Sequence, residues 1–189
     1  MSMDCGALRM SGRRIIETVV LRSPVEFSSN HLHEMKTIEQ LVSEFDDLHL
    51  PAVAFAVEPP TDSSIRKINT HFAIELPHEL ILFAKLSKSF GSWFASLGED
   101  YDSPKHIIRI NSYWRRRRKT RAIPRNLLII NRGFDDDLDC IELDSLNVST
   151  GACSIRYWFP GCAPEDSTVY PTFVEYVQTN VGFWKKSRK

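Results

Sequence analysis

The order of the hydrophobic patterns constrains the fold of this chain more than any other feature. Between residues 31 and 121, amphipathic helical patterns dominate, with apolar side chains at steps of three and four. Short β-branched and leucine-rich runs follow at 127–131, 138–144 and 154–159, and a last helical pattern covers 171–182. Helices and strands that are segregated in this way indicate an α+β fold with an antiparallel sheet packed by helices.

Prolines and capping residues mark where the predicted helices begin and end. The first helix is predicted from His31 to Leu48, and the second begins near residues 61–63, whose side chains can accept from free N–H groups. Pro77 opens a third helix where its missing N–H costs nothing, and Gly91 should follow that helix. A fourth helix is predicted from Lys105 to about Arg121. The side chains expected to face the core are Ile65, Ile68, Phe72, Ala73, Leu80, Ile81, Phe83, Ala84 and Leu86.

Length and segment composition predict one main domain with extensions. The chain has 189 residues, enough for one well-cored domain. We expect an N-terminal extension at 1–30 with a strand near 14–22, a main domain at 31–182 and a basic tail at 183–189. No apolar run approaches the ~20 residues that a bilayer requires. The four cysteines form no CxxC pair, which predicts reduced thiols and a cytoplasmic location.

Three blocks of the sequence resemble the SUKH superfamily. Ser63–Gly91 resembles its opening helix pair, and Ile123–Asp144 resembles the strands that follow. Tyr157-Trp158 with Phe173–Val177 resembles its aromatic strand and closing helix, so the resemblance covers roughly residues 60–182. In the first block the family positions are occupied by Ile65, Ile68, Phe72, Leu76, Pro77, Leu80, Phe83, Leu86 and Gly91.

The resemblance implies a SUKH-like single domain that binds a protein partner without catalysis. The family includes fungal cell-wall assembly regulators and many bacterial proteins that resemble immunity proteins against secreted nuclease or other toxins. It therefore implies neutralisation of a cognate toxin domain by direct binding. Two loops depart from the family pattern, which puts the specific partner in question more than the fold. Ser89-Phe90-Gly91 stands where an Asn-Gly-Gly turn is usual, and Asp136-Asp137 stands where a Gly-Asp turn is usual.

An acidic run is the best candidate for the binding surface. We predict an anionic lip that accepts Arg and Lys side chains of a basic partner and steers the encounter. A solvated turn is an alternative, and so is a divalent-metal site, although the spaced DxDxDG pattern of a calcium loop is absent. Two aromatic residues are expected to be exposed as interface anchors. The predicted partner-binding residues are Asp135, Asp136, Asp137, Asp139, Glu142, Asp144, Phe90 and Trp184.

A basic run suggests a second hypothesis, nucleic-acid binding or a regulatory adaptor role. Base stacking on an aromatic ring beside phosphate-binding cations would suit this run. Alternatively, the cations complement a helix dipole, or contact the acidic lip of a second copy. Lys+Arg and Asp+Glu are both 24, and this zero net charge disfavours nucleic acid. The residues of this hypothesis are Trp114, Arg115, Arg116, Arg117 and Arg118.

The sequence carries no recognisable catalytic or cofactor motif. HExxH, GxSxG and Walker patterns are absent, and the six histidines lack metal-ligand spacing. We therefore predict no metal, no cofactor and no enzymatic activity. An undetected enzyme is a third hypothesis, which requires a cleft with converging titratable groups.

Overall fold

A computed structural model describes residues 36–48, 58–117, 122–133, 137–147, 150–160 and 167–187. These residues form six helices and a four-stranded antiparallel sheet, which confirms the α+β prediction. The expected extension and its strand near 14–22 lie outside the described residues. The helices are α1 (Ile38–Asp46), α2 (Asp62–Phe72), α3 (His78–Leu86), α4 (Phe90–Trp93), α5 (Ile107–Arg115) and α6 (Phe173–Ser187). The strands are β1 (Leu127–Arg132), β2 (Leu138–Glu142), β3 (Ile155–Trp158) and β4 (Val169–Tyr170).

Reciprocal capping boxes set the starts of α1 and α2. The backbone N–H of Gln40 donates to the Thr37 hydroxyl at 3.3 Å, and the Thr37 N–H donates to Gln40 Oε1 at 2.9 Å. Thr61 and Ser64 form the same pair of bonds, so Thr61 is the cap among the three candidates. Because Thr37 caps α1, this helix begins at Ile38, and the predicted start at His31 is wrong.

The ends of α2 and α3 differ from the predictions. Ala73 is exposed and adopts a left-handed conformation with φ 55°, because it is the C-cap of α2 and does not face the core. Leu86 is also exposed, since it lies on the outer side of the last turn of α3. Gly91 lies inside α4, not just past the end of α3. The carboxylate of Asp46 at the end of α1 binds residues 87–89 and so fixes the turn between α3 and α4.

The main core lies between the helices and one face of the sheet. The Phe83 ring lies 5.3 Å from Phe45, 5.9 Å from Phe94 and 5.7 Å from Phe173, measured between ring centroids. Edge-to-face aromatic contacts of this kind add to the energy of burial. Phe90 joins the cluster by stacking on Phe94 at 4.8 Å and is 4% exposed. The prediction that Phe90 is exposed is therefore wrong, because residues 90–93 form a short helix whose first side chain enters the core.

The sheet has the strand order β1-β2-β3-β4, and both of its faces are buried along most of β1 and β2, whereas the middle of β3 is half-buried. Leu128 pairs with Ile141, and Ile141 pairs with Ile155, so these side chains line the main core together. The opposite face packs against the end of α5 in a second cluster. This cluster consists of Trp114, Ile123, Leu127, Ile129, Leu138, Cys140 and Trp158.

Two more helices, α5 and α6, differ in length from the sequence predictions. The predicted helix from Lys105 to Arg121 is shorter, because His106 caps α5 and the helix ends at Arg115. Conversely, α6 continues to Ser187, beyond the predicted end at 182. Most of the predicted basic tail is therefore helical. An ion pair of 2.9 Å between Lys185 and Glu44 of α1 holds this extra turn against the rest of the domain.

Candidate protein-binding surface

Members of the acidic run lie at opposite ends of strand β2. Asp137 precedes β2, and Asp144 follows it. A strand rises about 3.3 Å per residue, so the ends of β2 lie about 13 Å apart. Asp137 and Asp144 consequently do not form one continuous lip. Asp135 and Asp136, the other members of the predicted lip, lie outside the described residues.

Asp137 contacts Gly133 across the turn between β1 and β2. The Gly133 N–H donates to the Asp137 backbone oxygen at 2.8 Å. A Cβ atom at position 133 would lie only 1.9 Å from Asp137 Oδ1. Glycine therefore lets the half-buried Asp137 carboxylate lie directly over the backbone at this turn.

Asp139 is part of the core and does not belong to an exposed lip. It is 9% exposed, and its Oδ2 accepts from the Tyr176 hydroxyl at 2.6 Å and from Asn131 Nδ2 at 2.8 Å. The Trp93 indole N–H donates to the same Tyr176 oxygen at 3.2 Å. Burial, followed by the charge of Asp139, raises the pKa of Tyr176 well above its usual range. The prediction that Asp139 is a partner-binding residue is corrected, because its carboxylate ties β2 to α6.

Glu142 and Asp144 have different surroundings at the far end of β2. Glu142 is half-buried and accepts from Arg156 Nε at 2.6 Å, while Arg156 Nη1 donates to Ser167 at 2.8 Å. Asp144 is exposed and accepts from Asn126 Nδ2 at 2.9 Å. Asp144 thus offers a carboxylate to solvent, whereas the charge of Glu142 is neutralised within the sheet.

An exposed apolar residue adjoins this ion pair. Val169 of β4 pairs with Arg156 of β3, and Val169 is 37% exposed. We call the surface formed by Glu142, Asp144, Arg156 and Val169 the β2–β4 face. It combines a charged rim with an apolar residue on a short edge strand, a composition found at protein–protein interfaces.

Trp184 lies against the domain and is not an exposed anchor. It is half-buried, and its ring packs edge-to-face on Trp93 at 5.4 Å between centroids. The neighbouring Phe183 is 47% exposed. Successive residues of a helix point about 100° apart, so the continuation of α6 through position 184 turns Trp184 inward and Phe183 outward. The prediction of an exposed Trp184 is wrong for this reason.

The ring to which the nucleic-acid hypothesis assigned base stacking is buried. Trp114 is 1% exposed, because it belongs to the second cluster beneath the sheet. The Arg117 guanidinium lies 4.2 Å from the Trp114 centroid and 4.8 Å from that of Tyr113. Arg115 and Arg116 are exposed, whereas Arg118 lies outside the described residues. The stacking role predicted for Trp114 is therefore excluded by its burial.

The network of Asn131, Tyr176 and Trp93 around Asp139 was not predicted from the sequence. One signal was present, since Asn131 interrupts the otherwise apolar run of β1. A polar side chain inside a buried strand requires a hydrogen-bond partner. Its partner Asp139 stands in the neighbouring strand, eight residues further along the chain.

The described residues contain no group of three or more His, Cys, Asp and Glu side chains placed to hold a metal ion. In the same part of the chain, no helix has the length and hydropathy needed to cross a bilayer. His106 has a structural position, since its Nδ1 accepts from the Ile108 N–H at 3.2 Å and its Nε2 lies 3.2 Å from the Gly98 oxygen.

Comparison with known proteins decides the family. The family model SUKH_5, described as SMI1-KNR4 cell-wall, matches residues 36–184. The chain belongs to the SUKH family. The match includes α1, so the SUKH domain begins before the part of the chain in which the sequence resemblance is clearest.

A solved structure has a similar fold. The crystal structure of a protein from Pseudomonas syringae pv. tomato superposes with a TM-score of 0.53. The two sequences are 15% identical, and the alignment covers 74% of this chain and 95% of that chain. At this identity the likeness concerns the fold alone. No curated protein matches the sequence.

Proposed function

We propose that this SUKH protein is a non-catalytic binding module that neutralises a cognate, basic toxin domain by covering its working surface. The observation that carries the proposal is the β2–β4 face, where exposed Asp144 and Val169 flank the Glu142–Arg156 ion pair. Membership of the SUKH family supports a protein partner. The free, buried thiols of Cys140 and Cys153 support action in the cytoplasm, where thiols stay reduced.

Binding by occlusion fits the titratable groups better than catalysis does. Asp139, Glu142 and His106 all make hydrogen bonds within the fold. A shallow depression on α2 contains the hydroxyls of Ser63 and Thr70 and the imidazole of His71. Eight residues of helix place Ser63 about 12 Å from His71, which is too far for a nucleophile and its base. The Thr70 hydroxyl donates to the Arg66 carbonyl at 2.9 Å.

The proposed partner is basic because acidic groups adjoin the candidate face. Asp144 is exposed at one end of β2, and the acidic residues 135–137 precede the other end. Carboxylates at such a rim act mainly on the association rate, by attracting a cationic partner before contact. The rate should therefore fall steeply as salt increases.

Charge reversal with a matched control tests the proposal. The partner would be captured with the immobilised chain, and its isolated domain would then be used for association kinetics and activity assays. The test variants are Asp144→Lys and the triple variant Asp135→Lys, Asp136→Lys, Asp137→Lys. Glu75→Lys reverses an exposed acid near the end of α2 and is the control.

We expect the wild type to inhibit the partner at equal concentration. The test variants should associate about tenfold more slowly, whereas Glu75→Lys should not differ from the wild type. Unchanged association of both test variants would refute the acidic-surface assignment. Binding without inhibition would refute neutralisation.

The nucleic-acid alternative has lost the stacking residue predicted for it, because Trp114 is buried, and the exposed ring that remains is Tyr113, with the Arg117 guanidinium 4.8 Å from its centroid. A filter-binding titration with single-stranded RNA and duplex DNA tests what remains of it. We expect no salt-sensitive binding of either probe at concentrations that saturate the protein partner.

A further inference from the structure

The last turns of α6 are held less firmly than the turns before them. Up to Val181, this helix buries one side of every turn in the main core. Among the described residues after Val181, no side chain is buried, and only Trp184 packs against the main core. We call residues 182–187 the α6 strap. Its attachment to the domain therefore depends on few contacts.

Trp184 fills a groove on the domain without completing its packing. The groove includes Phe45 of α1, Trp93 of α4 and Val181 of α6, and a gap of about 10 Å³ remains beside these side chains. The indole N–H of Trp184 is buried, and within the described part of the chain no acceptor lies within hydrogen-bond distance of it. A buried donor without an acceptor destabilises the closed position, because water would satisfy this donor after release.

Gly182 weakens the helix at the start of the α6 strap. A Cβ atom at this position would meet no heavy atom of the surrounding structure within 4 Å, so packing does not require a glycine here. Glycine in a helix interior is less stable than alanine, because it loses more conformational freedom on folding. The strap can consequently separate from the rest of α6 at this residue.

An ion pair ties the α6 strap to α1. Lys185 Nζ lies 2.9 Å from Glu44 Oε2, and the Lys185 side chain is 47% exposed. Exposed ion pairs contribute little to stability and are weakened by salt. Glu44 also pairs with Lys36, so its carboxylate keeps a cationic partner after Lys185 leaves. Opening of the strap therefore leaves no buried charge uncompensated at this place.

Once the strap opens, the groove is exposed beside the Glu44 carboxylate. The two strap residues that fill these places, Trp184 and Lys185, are adjacent in the sequence. The site therefore fits an aromatic ring next to a cation, and aromatic anchors with a charged rim are common at protein interfaces. We propose that the α6 strap is an autoinhibitory segment, which when closed occupies a site for an aromatic and a basic side chain of a partner protein. This site is formed by α1, α4 and α6, so the inference does not depend on the β2–β4 face.

Amide hydrogen exchange in the full-length chain tests whether the strap opens. We expect the amides of residues 184–187 to exchange at least about tenfold faster than those of residues 177–181. Gly182→Ala should slow exchange in the strap about fivefold, because alanine stabilises the helix. Lys185→Gln should speed it about threefold, because the ion pair is lost. Lys186→Gln changes an exposed cation of the same turn and is the control, which should not differ from the wild type.

A peptide titration tests whether the strap occupies a partner site. The probe is the acetylated peptide Trp-Lys-Lys, and its binding is followed by the NMR resonance of the Trp93 indole N–H, which donates to Tyr176. The full-length Trp184→Ala variant should bind the probe saturably, and the wild type should bind at least about tenfold more weakly because Trp184 competes. The peptide Ala-Lys-Lys should not bind. The peptide Trp-Glu-Glu should bind the variant severalfold more weakly than Trp-Lys-Lys, since Glu44 repels it.

Lys185→Gln gives a second measurement, because it loosens the strap and keeps the Trp184 ring. This variant should bind the probe more tightly than the wild type, and it decides the question if circular dichroism shows that Trp184→Ala does not fold. Strap amides that exchange as slowly as those of residues 177–181, or that do not respond to Gly182→Ala, would refute the opening. Equal probe binding by the wild type and the folded variants would refute closure of the site by the strap. Absence of probe binding by the folded variants, or equal binding of Ala-Lys-Lys, would remove the site.

Discussion

The hydrogen bond between Tyr176 and Asp139 predicts a large effect from the loss of one oxygen atom. Tyr176→Phe keeps the ring, which is 1% exposed and packs beside Phe94 and Tyr170. It removes the hydroxyl that donates to Asp139 at 2.6 Å and accepts from Trp93 at 3.2 Å. Packing is therefore conserved, and the change isolates the polar network.

The magnitude follows from the two bonds that are lost. A hydrogen bond to a charged group contributes about 1.5–3 kcal/mol, and a buried N–H that loses its acceptor costs about 1 kcal/mol or more. Asp139 keeps the bond from Asn131 at 2.8 Å, so its carboxylate is not left without donors. We expect the free energy of unfolding to fall by about 3 kcal/mol. For a chain of this size, that corresponds to a decrease in Tm of about 6–12 °C.

Urea denaturation followed by tryptophan fluorescence measures the change, with a thermal melt as a second probe. Tyr113→Phe is the matched control, because it removes the same atom from a ring that is 52% exposed. Among the described residues, its hydroxyl accepts from Arg117 at the surface. The control should change stability by less than about 0.5 kcal/mol. Equal effects of the two variants, or a loss below about 1 kcal/mol for Tyr176→Phe, would refute the reasoning.

Three further predictions concern side chains inside the fold. Burial lowers the pKa of His106, so its contribution to wild-type stability should be complete above about pH 6.5 and should fall as the pH drops toward the lower pKa of the folded state. His106→Asn can cap the helix without titrating, so this variant should lose less stability between about pH 7.5 and 5 in urea titrations. Equal losses in the variant and the wild type would contradict this. Asp46→Ala removes the carboxylate that accepts from residues 87–89 at 2.6–3.1 Å. Thermal unfolding should therefore show a decrease of about 2–3 kcal/mol in the free energy of unfolding, against less than about 0.5 kcal/mol for Asp47→Ala, which changes an exposed residue. Burial raises the pKa of Cys153 to about 12, so a thiol reagent should label this cysteine only after the protein unfolds. Rapid labelling of Cys153 in the folded protein would disprove its burial.

Much of the fold could be predicted from local pattern because helix and strand periods depend on neighbouring residues. The segregation of helices from strands predicted the antiparallel sheet, and Thr61 was among the three predicted caps. The two-residue strand β4 was not predicted, since Val169 and Tyr170 carry too little periodicity to show one. The early end of α5 was also missed, because the basic residues after Arg115 continue a plausible helical sequence.

The candidate site was less predictable, because exposure depends on contacts between distant parts of the chain. Asp139 stands in an acidic run, and alternation along β2 places it on the same face as Ile141. Its burial nevertheless depends on Tyr176, which is 37 residues away and donates to its carboxylate. Phe90 stands in a turn-like sequence, but Phe94 and the core draw it inward.

By itself, the sequence determined the order of the main helices and strands, the region of the α2 cap and the SUKH resemblance, all of which are carried by short-range spacing. Only the tertiary structure decided which charges face solvent. It buried Asp139, paired Glu142 with Arg156 and left Asp144 exposed. The physical reason is that a charge enters the interior only where distant donors replace its water, and the folded chain alone brings those donors together.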